Sequence, residues 1–79
     1  MKYPNIERLI EIIDILRSEN GCQWDREQTH ETLKHNMLEE AYEAVDAIDD
    51  KDMPHLQEEL GDVLLQVVLH SQIAKEEKH

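Results

Sequence analysis

The sequence contains few of the residues that interrupt or cross-link a chain. Cys22 is the only cysteine among 79 residues, which excludes an internal disulfide bond. This cysteine usage is typical of a reducing compartment, so we expect a cytoplasmic protein. Two glycines and two prolines leave little material for hairpin turns and favour an all-α fold. Because phenylalanine is absent, the core must be built from Leu, Ile, Val, Ala and Met.

Basic residues are also scarce. Eight Lys and Arg residues stand against nineteen Asp and Glu residues, and the formal net charge is -11. Binding to the phosphates of nucleic acids requires a basic surface, so we expect no nucleic-acid polymer as a partner. Apolar runs are too short for a membrane span and the N-terminus has no signal-peptide pattern, so we also expect no membrane association.

Apolar residues recur at helical spacing over most of the chain and predict three helices. The first predicted helix starts at Tyr3-Pro4-Asn5, with Asn5 as its N-cap. It ends at Glu19-Asn20-Gly21, where Gly21 is predicted to form a left-handed C-cap. Residues 21–30 show no steady period and are predicted to form an ordered loop that leads into the next helix.

The second predicted helix spans Thr29 to Ile48 or Asp49, and the third spans Met53 to Lys75 with Asp52 as its N-cap. The short connection over residues 49–54 folds these helices back antiparallel. The second helix carries a predicted apolar face: Leu33, Met37, Leu38, Ala41, Tyr42, Val45 and Ile48. One domain over residues 1–79 has a thin core, so we expect an antiparallel helical bundle completed by self-association as a homodimer or homotetramer.

Five acidic residues on the two long helices form the candidate site. Glu40 and Glu43 share one side of the second helix, with Glu39 at the edge of that patch, and Glu59 and Asp62 share one side of the third. The third helix is otherwise apolar around nearly its whole circumference, so ionised groups on it require a counter-charge. An all-oxygen, anionic cluster suits Mg²⁺ or Mn²⁺. The pattern therefore predicts the metal ligands Glu40, Glu43, Glu59 and Asp62.

Trp24 and Gly61 each bear on how the helices pack. Trp24, in the loop before the second helix, has two interpretations that the sequence leaves open. It either plugs the end of the bundle, as a largely buried tryptophan does, or forms a wall of a nucleotide site. Gly61 costs the third helix about 1 kcal/mol relative to alanine, which predicts a close approach of the helices beside the acids.

The rest of the sequence restricts the reactions that the chain could catalyse. The chain has no glycine-rich phosphate-binding loop and no triad with a credible nucleophile. Carboxylate-bound Mg²⁺ without such a loop indicates a metal-chelating phosphate substrate attacked by water. Glu39, just outside the ligand set, is predicted to be the general base for that water.

Two other interpretations of the acids remain open. The first is a non-catalytic interaction module whose helices form a dimer core and whose acids bind a structural or adventitious cation. The second is a di-iron carboxylate protein, which requires a histidine beside the carboxylates. His55 and His70 lie about four turns apart on the third helix and are interpreted as surface or interface residues, so no such histidine is predicted.

The chain contains the segment Gly21-Cys22-Gln23-Trp24-Asp25-Arg26-Glu27-Gln28-Thr29, followed by Glu39-Glu40-x-x-Glu43 and Glu59-x-x-Asp62. Together these motifs resemble the MazG family of nucleoside triphosphate pyrophosphohydrolases, in particular its N-terminal-type module. The resemblance implies an all-helical dimer or tetramer that converts NTPs or dNTPs to monophosphates and pyrophosphate, as nucleotide-pool housekeeping. It implies Mg²⁺ at the positions of the four predicted ligands, with Glu39 nearby. We further expect three substrate contacts, Trp24, Arg26 and Lys34. The alternative is a catalytically silent MazG-like interaction module.

Overall fold

The computed structural model describes residues 4–77, and over that range the chain forms four helices and no strand. The helices are α1 (Pro4–Leu16), α2 (Gln23–Glu27), α3 (His30–Asp49) and α4 (Met53–Glu76). The all-α prediction is confirmed, and the three long helices occur where helical periodicity placed them. Within the described residues no helix combines the length and apolarity that a membrane span needs.

α1 differs from the prediction at both ends. It begins at Pro4, so Asn5 lies inside the first turn and does not cap it, while Tyr3 falls outside the described residues. It stops at Leu16, and Gly21 does not adopt a left-handed conformation. Gly21 is required for a different reason, because a Cβ atom there would overlap the main-chain carbonyl oxygens of Ile15 and Leu16. The glycine therefore permits a tight backbone approach after α1.

Side chains that cap the first turn mark the starts of α3 and α4. The Thr29 hydroxyl accepts from the Thr32 N–H at 3.2 Å, and the Thr32 hydroxyl accepts from the Thr29 N–H at 2.9 Å, which forms a reciprocal capping box. Asp52 accepts from the His55 N–H at 3.1 Å, and Pro54 lies in the first turn, where its missing N–H costs no hydrogen bond. These caps confirm the predicted starts of both helices.

The turn between α3 and α4 places a lysine in the left-handed region. Lys51 has a φ angle of 56°, and its N–H donates to the Ile48 carbonyl at 3.1 Å. The Asp52 N–H donates to the Ala47 carbonyl at 3.0 Å. These two bonds form a Schellman motif, in which glycine is the preferred left-handed residue.

We expect Lys51→Gly to raise the free energy of unfolding by about 0.5–1 kcal/mol, because glycine adopts the left-handed conformation without a Cβ clash. Lys51 is exposed, so the substitution removes no packing. Lys51→Ala is the control, since it removes the same charge and keeps the Cβ atom. Urea unfolding of the three proteins measures the difference, and equal stabilities of the glycine and alanine variants would contradict the expectation.

α3 and α4 pack antiparallel, as predicted. Near the start of α3, the Nδ1 atoms of His30 and His70 lie 2.7 Å apart. The two ring planes differ by only 3° and the ring centres are 5.0 Å apart. With so short a nitrogen–nitrogen distance, the rings must lie edge to edge and share one hydrogen bond. Burial, followed by the electrostatic influence of the neighbouring His30, lowers the pKa of His70, which favours the neutral form of His70.

α1 packs across the C-terminal half of α4 and completes the core. Five buried side chains form its centre: Ile13, Leu33, Val68, Leu69 and Ile73. Three partly buried leucines pack around them: Leu9, Leu16 and Leu65. The core is therefore concentrated at one end of the α3–α4 pair, and the carboxylates lie nearer the other end.

Arg17 links three parts of the fold. Its side chain is only 6% exposed, and its guanidinium donates to the Glu76 carboxylate at 3.0 Å. It also donates to the main-chain carbonyls of Gln28, at 2.9 Å, and Asp25. Arg17 holds the pKa of Glu76 below its usual range through this hydrogen-bonded pair. The arginine anchors the segment that carries Trp24 against α1 and α4.

The orientation of α3 corrects the sequence analysis. The buried side chains of α3 are Leu33, Ala44 and Ala47. Most of the predicted apolar face is more than half exposed: Leu38 (54%), Tyr42 (63%), Val45 (51%) and Ile48 (54%). The small alanines allow α3 to approach α4 closely with its acidic side turned towards that helix. Gly61 instead faces open space, so the predicted close approach at this glycine is wrong within the described chain.

Candidate metal centre

Three of the predicted metal ligands converge between α3 and α4. Glu40, Glu43 and Glu59 each offer one carboxylate oxygen, and these oxygens all lie within 4.8 Å of one another. Glu59 is 6% exposed, Glu40 is half-buried and Glu43 is exposed. Three carboxylates at such distances repel each other when they are all ionised, so the arrangement requires either a proton or a cation.

The hydrogen bonding of these carboxylates favours a cation. Oε2 of Glu40 and Oε2 of Glu59 are buried and have no hydrogen-bond partner. Over residues 4–77, no lysine or arginine forms an ion pair with Glu40, Glu43 or Glu59. Buried anionic oxygens without a partner are costly, and a hard divalent ion prefers this kind of donor. The residues present therefore fit a divalent metal ion.

In the metal-free protein, a proton provides part of the missing compensation. The Glu43 carboxylate, which can accept a hydrogen bond from the protonated form of Glu59, raises the pKa of Glu59 to about 7 together with burial and the nearby Glu40 carboxylate. Glu59 is consequently close to half-protonated at neutral pH. Metal binding at this carboxylate must displace that proton.

Comparison with known proteins identifies the family. The family model described as "MazG nucleotide pyrophosphohydrolase domain" matches residues 28–79, which include all of α3 and α4. The chain belongs to the MazG family. The resemblance carried by the acidic motifs is thereby confirmed.

Individual relatives agree with this assignment. The chain is 59% identical over 70 residues to a nucleoside triphosphate pyrophosphohydrolase/pyrophosphatase MazG from Thermotoga maritima, covering 89% of this chain and 28% of the relative. It is 52% identical over 73 residues to a nucleoside triphosphate pyrophosphohydrolase from Escherichia coli, covering 91% of this chain and 28% of the relative. It is also 53% identical over 75 residues to the uncharacterized protein YabN of Bacillus subtilis, covering 95% of this chain and 15% of the relative. The chain thus spans less than a third of the length of these relatives.

The two other acidic residues of the predicted site, Asp62 and Glu39, are not part of the converging cluster. Asp62 follows Glu59 by one turn of α4 and is half-buried, but it is not among the three residues whose oxygens converge. Glu39 is exposed at the edge of the α3 acids. The structure thus brings together three of the four predicted ligands. Of the two remaining acids, Glu39 adjoins Glu40 in sequence and Asp62 is three residues after Glu59.

Within residues 4–77, the three predicted substrate contacts form no side-chain hydrogen bond or ion pair with Glu40, Glu43 or Glu59. Trp24 is 59% exposed, so the prediction that it plugs the bundle is wrong. It lies in α2, the short helix within the segment that was predicted to be a loop. Arg26 donates to the Glu19 carbonyl, and Lys34 pairs with Glu31 at 2.8 Å. Both basic side chains are exposed and have other partners.

His55 is a neighbour of the acids that the sequence analysis missed. Its Nε2 atom lies 3.2 Å from Oε1 of Glu59. The prediction that no histidine lies beside the carboxylates is therefore wrong, and the i, i+4 spacing of His55 and Glu59 was the available signal. The di-iron interpretation does not gain from this, because its motif places histidine three residues after glutamate.

We expect the stability of the metal-free MazG module to depend on pH through Glu59. Its pKa is raised from 4.5 to about 7 in the folded protein. The resulting stabilisation is complete below pH 4.5 and is lost as the pH rises through 7. A divalent cation bound at Glu59 would displace the same proton, so the apparent affinity for added Mg²⁺ should increase over pH 6–8. Calorimetric Mg²⁺ titration and thermal unfolding with EDTA at several pH values measure both effects.

Glu59→Gln is the control for this pH dependence. It removes the titrating carboxylate and retains His70, whose lowered pKa acts in the opposite direction because it removes stability on acidification. The difference between the wild type and this variant isolates Glu59. A Mg²⁺ affinity that is constant from pH 6 to pH 8 would contradict the assignment.

Proposed function

We propose that this MazG-family chain is a divalent-metal-dependent nucleoside triphosphate pyrophosphohydrolase that converts NTPs or dNTPs to monophosphates and pyrophosphate. The observation that supports it most directly is the convergence of three carboxylate oxygens, from Glu40, Glu43 and Glu59. Glu40 and Glu59 each also have a buried Oε2 atom without a hydrogen-bond partner. The names of the Thermotoga and Escherichia relatives support the same reaction class.

Glu40, Glu43 and Glu59 would hold the ion, with Asp62 as the fourth ligand one turn further along α4. We propose Mg²⁺ as the resident ion and Mn²⁺ as a substitute, because all the donors are carboxylate oxygens. When bound, the ion offsets phosphate charge and withdraws electrons from the reacting phosphorus. Without it, the net charge of -11 would oppose a triphosphate.

Glu39 is proposed to act as the general base. It is exposed beside the ligand set, where its carboxylate can accept a proton from a water molecule. The water oxygen forms a bond to the α-phosphorus, and the bond between that phosphorus and the oxygen bridging to the β-phosphorus breaks. Pyrophosphate leaves with the bonding electron pair, and the proton passes to Glu39.

The substrate side of the site is proposed to include Trp24, Arg26 and Lys34. Trp24 exposes more than half of its surface, so its ring is available to stack on a nucleotide base. Arg26 and Lys34 are exposed and would exchange their present partners for phosphate oxygens. For Lys34 such exchange costs little, because exposed ion pairs contribute only about 0–1 kcal/mol.

Self-association is proposed to cover the exposed apolar side of α3. The residues of this side already form a regular helical stripe, and residues of α4 such as Leu60 and Val67 are about half exposed as well. An apolar surface of this extent favours association with another copy as a homodimer or homotetramer. We place the assembly in the cytoplasm, where nucleotides are its substrates.

The rival function is a catalytically silent interaction module. It is favoured by one observation, namely that the polar partners of Arg26 and Lys34 within the described residues are Glu19 and Glu31, which are outside the acidic cluster. Incubation of the protein with mixed triphosphates and Mg²⁺, followed by a pyrophosphate assay, separates the two functions. Release that requires both Mg²⁺ and Glu59 supports the enzyme, and the absence of release for all common triphosphates supports the silent module.

A further inference from the structure

We propose that His55 is a positioning residue that holds Glu59 as a one-oxygen metal ligand. The proposal rests on the proposed metal-dependent function. It assigns different tasks to the two carboxylate oxygens of Glu59: Oε1 accepts a hydrogen bond from His55, and Oε2 is left for the cation.

The geometry distinguishes the two oxygens. Oε1 lies 3.2 Å from Nε2 of His55, whereas Oε2 is buried and has no hydrogen-bond partner. A carboxylate that ligates a metal is ionised and can only accept hydrogen bonds, so Nε2 of His55 must carry the hydrogen. The side chain of Glu59 is 8% exposed, and therefore water has little access to replace the histidine.

The start of α4 holds the histidine in place. The His55 N–H donates to Oδ1 of the N-cap residue Asp52 at 3.1 Å. One turn later, the i, i+4 spacing brings the imidazole alongside Glu59. Its side chain is 41% exposed, so its removal leaves no large cavity in the core. A cap, a donor and a ligand are thus arranged in sequence along one face of α4.

The physical consequence is control of the Glu59 side chain. A carboxylate with a fixed hydrogen bond on one oxygen cannot rotate freely and presents the other oxygen in a constant direction. Partners of this kind typically change metal affinity by about 10- to 100-fold when they are removed. His55 should therefore affect metal affinity much more than the chemical step at saturating metal.

The test measures metal binding without nucleotide, with Mn²⁺ as the probe and the electron paramagnetic resonance signal of free Mn²⁺ as the readout. His55→Leu removes the donor, and His55→Gln keeps an N–H donor of similar reach. We expect His55→Leu to raise the Kd for Mn²⁺ by about 10-fold or more and His55→Gln to stay near the wild type. The matched control His35→Leu, at an exposed histidine of α3, should have no effect.

Activity provides a second readout. In His55→Leu the Mg²⁺ concentration at half-maximal pyrophosphate release should rise by the same factor, while kcat at saturating Mg²⁺ stays close to that of the wild type. Unfolding in EDTA checks that all variants are folded. Mn²⁺ binding by His55→Leu equal to that of the wild type, together with its loss in Glu59→Gln, would overturn the role of His55 alone. An equal loss in His55→Gln and His55→Leu would also overturn it. Unchanged Mn²⁺ binding in Glu59→Gln would instead overturn the proposed metal site.

Discussion

We expect Glu59→Gln to reduce pyrophosphate release by about 10³-fold or more, because stabilisation by a catalytic metal is worth several kcal/mol. The same substitution should raise the unfolding temperature of the metal-free protein at pH 8. Glutamine removes one of three mutually repelling carboxylates, and Glu59 is the buried member of the cluster. Loss of activity combined with a gain in metal-free stability is characteristic of a site that is strained for function.

The neighbouring residue Glu58 provides the matched control. It lies on the same turn of α4, is exposed and is not part of the cluster. Glu58→Gln removes the same charge and should leave pyrophosphate release and Mg²⁺ binding unchanged. If Glu59→Gln lost activity but was also less stable at pH 8, Glu59 would be a structural residue and the metal centre would have to be abandoned.

The second large effect concerns self-association. We expect Val45→Glu to reduce the mass in solution to that of one chain, 9.3 kDa. Val45 is 51% exposed in the protomer, so the protomer tolerates glutamate at this position. Within a contact between two apolar surfaces, however, the same carboxylate would be buried without a partner, which costs several kcal/mol. Analytical ultracentrifugation of both proteins at equal concentration measures the change.

Gln57→Glu is the control that separates disruption of the α3 contact from the general effect of one added negative charge. Gln57 is an exposed polar residue of α4, so the variant carries the same extra charge outside the α3 stripe. It should have the same mass as the wild type. A wild type that sediments as one chain, or a Val45→Glu variant with the wild-type mass, would show that this side of α3 does not mediate self-association.

Local chemistry allowed much of this protein to be predicted. Helical periodicity located the three long helices, and the side chain of Asp52 marked the start of α4 because capping depends on residues only three positions apart. The i, i+3 spacing of Glu40 and Glu43 placed both carboxylates on one face, since helical geometry alone requires it. Residues 21–29 together with the acidic motifs also indicated the family, which the match over residues 28–79 confirms.

The tertiary structure decided which side of each helix packs inward. α3 has two candidate faces, and its periodicity favoured the stripe with the larger side chains. The fold instead buries Ala44 and Ala47 against α4 and turns the acids towards that helix. The exposure of Trp24 likewise depends on where other parts of the chain lie. The contact between His55 and Glu59, by contrast, joins residues four apart on α4, so local spacing could have predicted it. The sequence determined the helices and the acids on them, since both depend on near neighbours along the chain. The partner of each face depends on contacts between residues far apart in sequence, which no local pattern encodes.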